Sequence, residues 1–274
     1  MIDVNEIGVS TNTYHKFELD KALKGIKEAG FNYVELTSVM GYTEHVVPEN
    51  MEERDIAELK DLLDNYGLSV SAISGHSDLT IKDGCDHLKA VIDLAGELDA
   101  KVVNTGISMQ EDPEAGLSEE AERSFYENIE DLGDFASKNG VNIGIETHDF
   151  LKTAQQGSEI LTNIESGSVG LNYDTGNVIF YGGVRPEEDI KNLKSEGFTC
   201  MHLKDKLGGK GEWNFPALGE GEINFGPVFD WLDSIDYRGP VNVEIEFDGS
   251  EEETLQEVNE AVTDSYEFLE GLLQ

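Results

Sequence analysis

The sequence predicts a single (β/α)8 barrel spanning residues 1–274. Short runs rich in β-branched residues alternate with long amphipathic segments at a spacing of roughly 30 residues, which is typical of a closed parallel barrel. The length of 274 residues is also close to the ~250 residues of one such barrel. Because no change in composition or linker interrupts the alternation, we expect one domain.

Eight strands are predicted from short runs enriched in Val, Ile and Thr, the residues that favour a pleated and buried surface. Each run is followed by a turn or by an amphipathic segment. The predicted strands are residues 6–11, 32–37, 68–74, 101–106, 141–147, 169–174, 198–204 and 240–247.

The helices between the strands carry apolar residues at positions i, i+3, i+4 and i+7. Three of them run into a glycine, which is the residue expected at a helix C-terminus. Pro186 and Pro227 lie where the first turns of two later helices are expected. The clearest predicted helices are residues 19–30, 51–67, 85–100, 118–140 and 251–273.

A doubly wound sheet is the main alternative fold. It normally carries a GxGxxG phosphate turn after an early strand, and no such motif follows a predicted strand here. The Gly-rich segment 207–226 instead reads as a long loop after the seventh strand. In a barrel, loops of this kind form the catalytic end.

The composition is strongly acidic, with 19 Lys and Arg against 57 Asp and Glu and a formal charge of −38. We interpret this as a hydrated surface adapted to high salt, where screening reduces self-repulsion. The same charge would repel nucleic acid at ordinary ionic strength. We therefore expect no nucleic-acid partner.

Cysteine content and hydropathy indicate the cellular setting. Cys85 and Cys200 belong to no paired motif, so neither a disulfide framework nor a zinc knuckle is expected. No apolar run approaches the ~20 residues of a membrane span, and the N-terminus does not resemble a signal peptide. We expect a cytoplasmic protein with no membrane partner.

Polar residues follow nearly every predicted strand at the end where a barrel has its mouth. Several ionisable groups converging there would each cost several kcal/mol of desolvation unless a cation or mutual pairing offset it. Their convergence therefore predicts a functional site. These strand-end residues are Glu35, His76, Asn104, Glu146, His148, Asp174, His202, Lys204, Glu244 and Glu246.

Glu, Asp, His and Glu side chains together would form an oxygen-rich ligand set with one imidazole. Such a set suits an octahedral divalent ion, Mn²⁺, Mg²⁺ or Co²⁺, better than a tetrahedral structural zinc. An ion with open positions polarises a carbonyl group, and a carboxylate beside it removes a proton from the adjacent carbon.

Five segments resemble, in order and spacing, the xylose-isomerase-like TIM-barrel family of sugar isomerases and epimerases, whose superfamily includes endonucleases acting at abasic sites. The likeness covers nearly the whole chain and is most specific between residues 141 and 247. The segments are GIETH, GLNYDTGN, MHLKDK, PALGEGEINFGPVFDWL and YRGPVNVEIE.

The resemblance implies one divalent metal at the mouth, with Mn²⁺ the first choice and Mg²⁺, Co²⁺ or Zn²⁺ as alternatives. It implies Glu146, Asp174, His202 and Glu244 as ligands, with Glu246 as the fallback for the last. Glu146 and Glu244 would also be the catalytic acid/base pair, working through an enediolate. Dimers or tetramers are implied as well. The residues expected to bind substrate are His76, Asn104, His148, Asn177, Lys204, Asp205 and Trp213.

One position departs from the family pattern. Many members have a histidine three residues after the sixth-strand aspartate, where it contacts substrate, whereas this chain has Asn177. An amide can hydrogen-bond a hydroxyl group but cannot carry a proton.

The sequence leaves four functions open. The first is a metal-dependent isomerase or epimerase of a sugar or sugar-like polyol, and the second is a dehydratase of a keto-cyclitol or keto acid that uses the same site. An abasic-site endonuclease would require a cluster of several zinc ions with more histidine ligands, together with a basic surface that faces DNA. The chain has only six histidines and a formal charge of −38, which argue against this function. A non-catalytic sugar-binding barrel ranks below the enzymes because both acid/base glutamates are present.

Overall fold

A computed structural model describes residues 2–108, 116–249 and 253–274, and its main sheet is a closed barrel of eight parallel strands. Its strands are β1 Gly8–Ser10, β2 Tyr33–Val39, β4 Ser69–Ser74, β5 Val102–Thr105, β6 Asn142–Glu146, β7 Val169–Asp174, β8 Phe198–Leu203 and β9 Val241–Val243. Neighbours pair in chain order, and β9 closes the barrel on β1. A short strand, β3 Thr43–Glu44, pairs antiparallel with the end of β2. The predicted (β/α)8 fold is confirmed.

Helices surround the barrel in the alternation that the sequence predicts. Gly30, Gly67 and Gly140 end three of them in the left-handed conformation, with φ of 114°, 62° and 70°, so the predicted glycine caps are confirmed. In the described part of the chain, no helix is both long and apolar enough to cross a membrane. The helices are α1 Leu19–Ala29, α2 Glu53–Tyr66, α3 Lys82–Glu97, α4 Glu119–Asn139, α5 Ala154–Leu161, α6 Pro186–Asp189, α7 Gly226–Ser234 and α8 Leu255–Leu272.

Some helix bounds differ from those predicted. Helix α5 was not singled out, because its sequence AQQGSEIL has few apolar residues. A Cβ at its Gly157 would lie 2.7 Å from the side chain of Leu171 in β7, so close packing on the sheet defines this helix. Helix α3 begins three residues earlier than predicted. The last helix was predicted from residue 251, and residues 251 and 252 lie outside the described range.

The period-two alternation of the strands places the site. Ile143 and Ile145 of β6 belong to the apolar core, while Glu146 ends the strand on the alternate face. In β8, Met201 and Leu203 belong to the same core, and His202 lies between them. Alternate strand residues therefore point polar groups into the barrel, while the residues between them pack against the helices.

Candidate active site

Four acidic or imidazole side chains meet where the strands end. Their ligand atoms all lie within 4.8 Å of one another, and all four residues are buried. We call this set the mouth cluster. It consists of Glu146 at the end of β6, Asp174 at the end of β7, His202 in β8 and Glu244 directly after β9. Parallel pairing of β7 with β8 places Asp174 and His202 at the same height in the barrel, because the two residues are Cα partners.

His202 presents one ring nitrogen to the cluster and the other to the barrel interior. Its Nδ1 lies 3.3 Å from Glu146 Oε2 and 3.5 Å from Glu244 Oε2. Its Nε2 lies 3.0 Å from each carboxylate oxygen of Glu35. Burial alone would lower the pKa of His202, but the surrounding carboxylates raise it well above its usual value.

Asp174 leaves one buried oxygen without a hydrogen bond. Its Oδ1 accepts from the backbone N–H groups of Gly176 and Asn177, each at 2.8 Å. Its Oδ2 is buried and has no hydrogen-bond partner. A buried oxygen of this kind, facing carboxylate oxygens and an imidazole nitrogen, is what a divalent cation would satisfy, so the mouth cluster fits the metal that the sequence implies.

Glu146 is held at both oxygens by neutral amides. Asn177 donates to Oε1 and Asn172 to Oε2, each at 3.0 Å, and His76 Nε2 lies 3.3 Å from Oε2. Burial alone would raise the pKa of Glu146, but His202 and His76 outweigh it and lower the pKa to about 2. The side chain is therefore an ionised carboxylate with a fixed orientation.

Lys204 lies between the two glutamates that were candidates for the last ligand. Its Nζ is 2.8 Å from Glu244 Oε2 and 2.7 Å from Glu246 Oε2. Burial would raise the pKa of Glu244, but Lys204 and His202 lower it well below its usual value. For Glu246, burial dominates and the pKa rises. Since Glu244 is the one that joins the mouth cluster, the geometry favours Glu244 as ligand.

A chain of contacts links these glutamates to the rim. Asn12 donates to Glu244 Oε1 at 3.0 Å and also to the neighbouring glutamate. Thr43 donates to Asn12 Oδ1 at 2.8 Å and contacts His15 Nδ1 at 2.6 Å. The His15 ring stacks on the half-exposed ring of Tyr42 at 4.1 Å. Burial and the nearby glutamates raise the pKa of Tyr42 to about 12, as expected for a hydroxyl beside the site.

Aromatic rings form one wall of the mouth. Trp213 and Phe215, from the loop after β8, meet edge to face at 5.0 Å, and Phe180 lies 5.5 Å from Trp213. Lys204 Nζ is 4.9 Å from the centre of the Phe215 ring. Trp213 keeps 42% of its surface exposed, so its predicted contact with substrate is sterically open.

A third imidazole, that of His148, lies near Glu146. The His148 ring lies 5.4 Å from that of His76, and its Nε2 is 3.1 Å from the Tyr181 hydroxyl. Asp149, for which no role was predicted, orients His148 by a contact of 2.8 Å to Nδ1. Tyr181 is placed by the π-helical turn Val178–Gly182 after β7, a backbone form often found at functional sites.

Two residues predicted to bind substrate are fully buried and form hydrogen bonds to other residues of the protein. Asn104 is fully buried and donates to Glu35 Oε2 at 3.1 Å. Asp205 is also fully buried, and its two oxygens accept four backbone N–H groups. The four donors are Lys206, Gly219, Gly221 and Ile223. These contacts indicate that Asp205 holds the loop after β8 in place and that Asn104 orients Glu35, deeper in the barrel than the mouth cluster.

Three amides that shape the site were not singled out from the sequence. Asn172 and Asn242 lie two residues before Asp174 and Glu244, so strand alternation was a usable signal for both. Asn12 follows β1 in the turn TNTYH, and nothing in its local pattern marks it.

Comparison with known proteins gives a consistent set of relatives. The family model for the xylose isomerase-like TIM barrel matches residues 23–270. An inosose dehydratase of Geobacillus thermodenitrificans is 29% identical over 229 residues, covering 73% of this chain and 76% of that protein. An L-ribulose 3-epimerase of Methylomonas sp. is 25% identical over 244 residues, covering 82% and 77%.

Solved structures agree in fold. The crystal structure of an IolI protein with a bound zinc atom superposes with a TM-score of 0.77 at 18% identity, covering 98% of each chain.

Proposed function

The chain belongs to the xylose isomerase-like TIM barrel family, and from that membership and its mouth cluster we propose that it is a divalent-metal-dependent isomerase or epimerase of a sugar or sugar-like polyol. The observation that carries the proposal is the pair of buried carboxylates, Glu146 and Glu244, on strands three steps apart around the barrel. Such a pair can remove a proton beside a carbonyl group and return one.

The metal would be held by Glu146, Asp174, His202 and Glu244. Asp174 Oδ2, which accepts no hydrogen bond and lies 3.4 Å from Lys204 Nζ, and the inward Nδ1 of His202 support this assignment. When bound, a divalent ion supplies Lewis-acid polarisation of the substrate carbonyl. The oxygen-rich donor set favours Mn²⁺, with Mg²⁺, Co²⁺ and Zn²⁺ as alternatives.

The residues of the chain divide the remaining work. Glu146, fixed by its two amide donors, takes the proton next to the carbonyl, which leaves an enediolate. Glu244, held by Asn12 and Lys204, delivers a proton drawn from solvent to the other face, and Glu146 releases its own proton to solvent to complete the cycle. Tyr181 and His148 present hydrogen-bonding groups to substrate hydroxyls beside the aromatic wall. Asn177 takes no part in proton transfer, since its amide is bonded to Glu146.

Dehydration of a keto-cyclitol or keto acid is the second candidate, and the similarity to an inosose dehydratase favours it. Both reactions begin by enolising a carbonyl compound, so the same carboxylates serve either. Product mass separates them, because dehydration removes one water from the product and epimerisation leaves the mass unchanged.

Metal dependence is the direct test of the proposed function. Removing bound metal with a chelator should abolish turnover of a panel of ketoses and inososes, and Mn²⁺ should restore it. Mass spectrometry and chiral chromatography of the products would identify the reaction. Full turnover by verified metal-free protein would contradict the proposal, as would a metal-loaded protein that binds sugar without converting any panel member.

We also propose that the acidic surface is an adaptation to high salt. Raising the salt from 0.1 M to 1 M shortens the Debye length from about 10 Å to about 3 Å, which weakens repulsion within a chain of formal charge −38. The unfolding temperature should therefore rise with KCl over this range. Sucrose at matched osmolality is the control for excluded-solute effects. An unfolding temperature that stays constant or falls in KCl would contradict the expectation.

A further inference from the structure

Beneath the mouth cluster lies a second polar layer that the proposed chemistry does not use. Glu35 is its centre, with no exposed surface. Asn242 Nδ2 donates to Glu35 Oε2 at 2.6 Å, and Asn104 Nδ2 donates to the same oxygen at 3.1 Å. His202 Nε2 lies 3.0 Å from both Glu35 oxygens. A buried carboxylate with this many converging donors has a defined orientation.

Two glycines leave room for this layer. A Cβ on Gly8 would lie 2.4 Å from Asn242 Oδ1, and a Cβ on Gly144 would lie 2.5 Å from Asn104 Oδ1. Any side chain at either position would displace an amide that holds Glu35. The strands β1 and β6 are thus shaped around the Glu35 layer as well as around the mouth cluster.

The layer determines which nitrogen of His202 can bind a cation. An ionised carboxylate only accepts hydrogen bonds, so Glu35 requires the ring proton to be on Nε2. When a cation displaces the other ring proton, the lone pair is therefore on Nδ1, the nitrogen that faces Glu146 and Glu244. Asn172 Nδ2 lies 3.4 Å from Nδ1 and 3.3 Å from Nε2, so its amide does not distinguish the two.

We propose that Glu35 is a positioning residue that fixes the tautomer and ring orientation of His202 and so tunes metal affinity at the mouth cluster. This inference rests on the metal site of the proposed function. Carboxylates that accept the second N–H of a ligating histidine commonly change metal affinity by about 10–100-fold when they are removed.

Glu35→Gln is the most direct test because it keeps the shape of the side chain but replaces one of the acceptors that face His202 with a donor. The Gln oxygen would still accept from Asn104 and Asn242, which turns its NH₂ group towards His202 Nε2. The ring proton would then move to Nδ1, where it opposes the cation. We expect metal affinity, measured by calorimetry with Mn²⁺ and Co²⁺, to weaken by roughly 10–100-fold, with the metal-free fold retained by circular dichroism.

Two further variants complete the experiment. Glu127→Gln, on the exposed face of α4, is the control and should bind metal as the parent does. Glu35→Asp keeps an acceptor that lacks one methylene and should recover part of the affinity lost in Glu35→Gln. If Glu35→Gln does not fold, Glu35→Asp carries the test with an expected loss of several-fold.

The outcomes separate this inference from the proposed function. A parent protein that binds no divalent metal would overturn both. A parent that binds one metal, with Glu35 variants of equal affinity, would overturn the inference alone. The group Glu35, Cys200 and His202 could instead hold a second ion. A stoichiometry of two, with a Co²⁺–thiolate absorption band lost in Cys200→Ala, would also overturn the positioning role.

Discussion

Replacing Glu146 with Gln should lower kcat by roughly 10²- to 10⁴-fold, the usual range for loss of a general acid or base. Gln cannot take up a proton from carbon. It also cannot accept both amides that now bond the two Glu146 oxygens, from Asn172 and Asn177, because one of its terminal atoms is itself a donor. The loss should therefore persist when metal is supplied in excess.

Exchange of the substrate C–H with D₂O measures the enolisation step directly and applies to both an epimerase and a dehydratase. The variant should show little exchange. Glu127→Gln, on the exposed face of α4, is a matched control that should exchange at the parent rate. Parent-level exchange by Glu146→Gln would end the assignment of Glu146 as the base.

Replacing Asp205 with Asn should destabilise the protein by on the order of 3 kcal/mol, since hydrogen bonds to a buried charge are among the strongest and costliest to lose. Each Asp205 oxygen accepts two backbone N–H groups from the loop that carries Trp213. In Asn, one of these oxygens becomes a donor, and two backbone N–H groups would face it.

The expected fall in unfolding temperature is roughly 6–12 °C for a chain of this size, read by calorimetry. Trypsin cleavage within residues 206–210 should accelerate, because the loop loses its anchor. Asp230→Asn, on the exposed face of α7, should change neither quantity. If Asp205→Asn melted with the parent, the loop would be held by contacts other than this carboxylate.

The fold was predictable because local patterns determine it. Strand alternation and glycine caps are read within a few residues, and both are confirmed around the barrel. Helix α5 was missed because it is short and its sequence has few apolar residues, and the close approach of Gly157 to Leu171 of β7 is a tertiary contact that the sequence does not reveal.

Site residues were predictable from the sequence where a family motif falls at the end of a predicted strand. Contacts between side chains on distant strands of the barrel were less predictable. The four ligand candidates do converge. Glu35 was predicted as a strand-end carboxylate but lies near the start of β2, Tyr33–Val39, and its partner His202 is 167 residues away, a separation that no local pattern encodes. For Asp205, strand alternation gave no signal, since β8 ends at Leu203 and Asp205 lies in the loop that follows.

The closure of β9 on β1 also constrains the order in which the protein can be assembled during synthesis. Asn12 and Glu244 are hydrogen-bonded although they are 232 residues apart. In a nascent chain, Glu35, Glu146 and Asp174 emerge before His202 and Lys204, the cations that pair with them, and Glu244 emerges last. The mouth cluster is therefore completed only when β9 arrives, and we expect the first seven barrel strands to remain an open sheet until then.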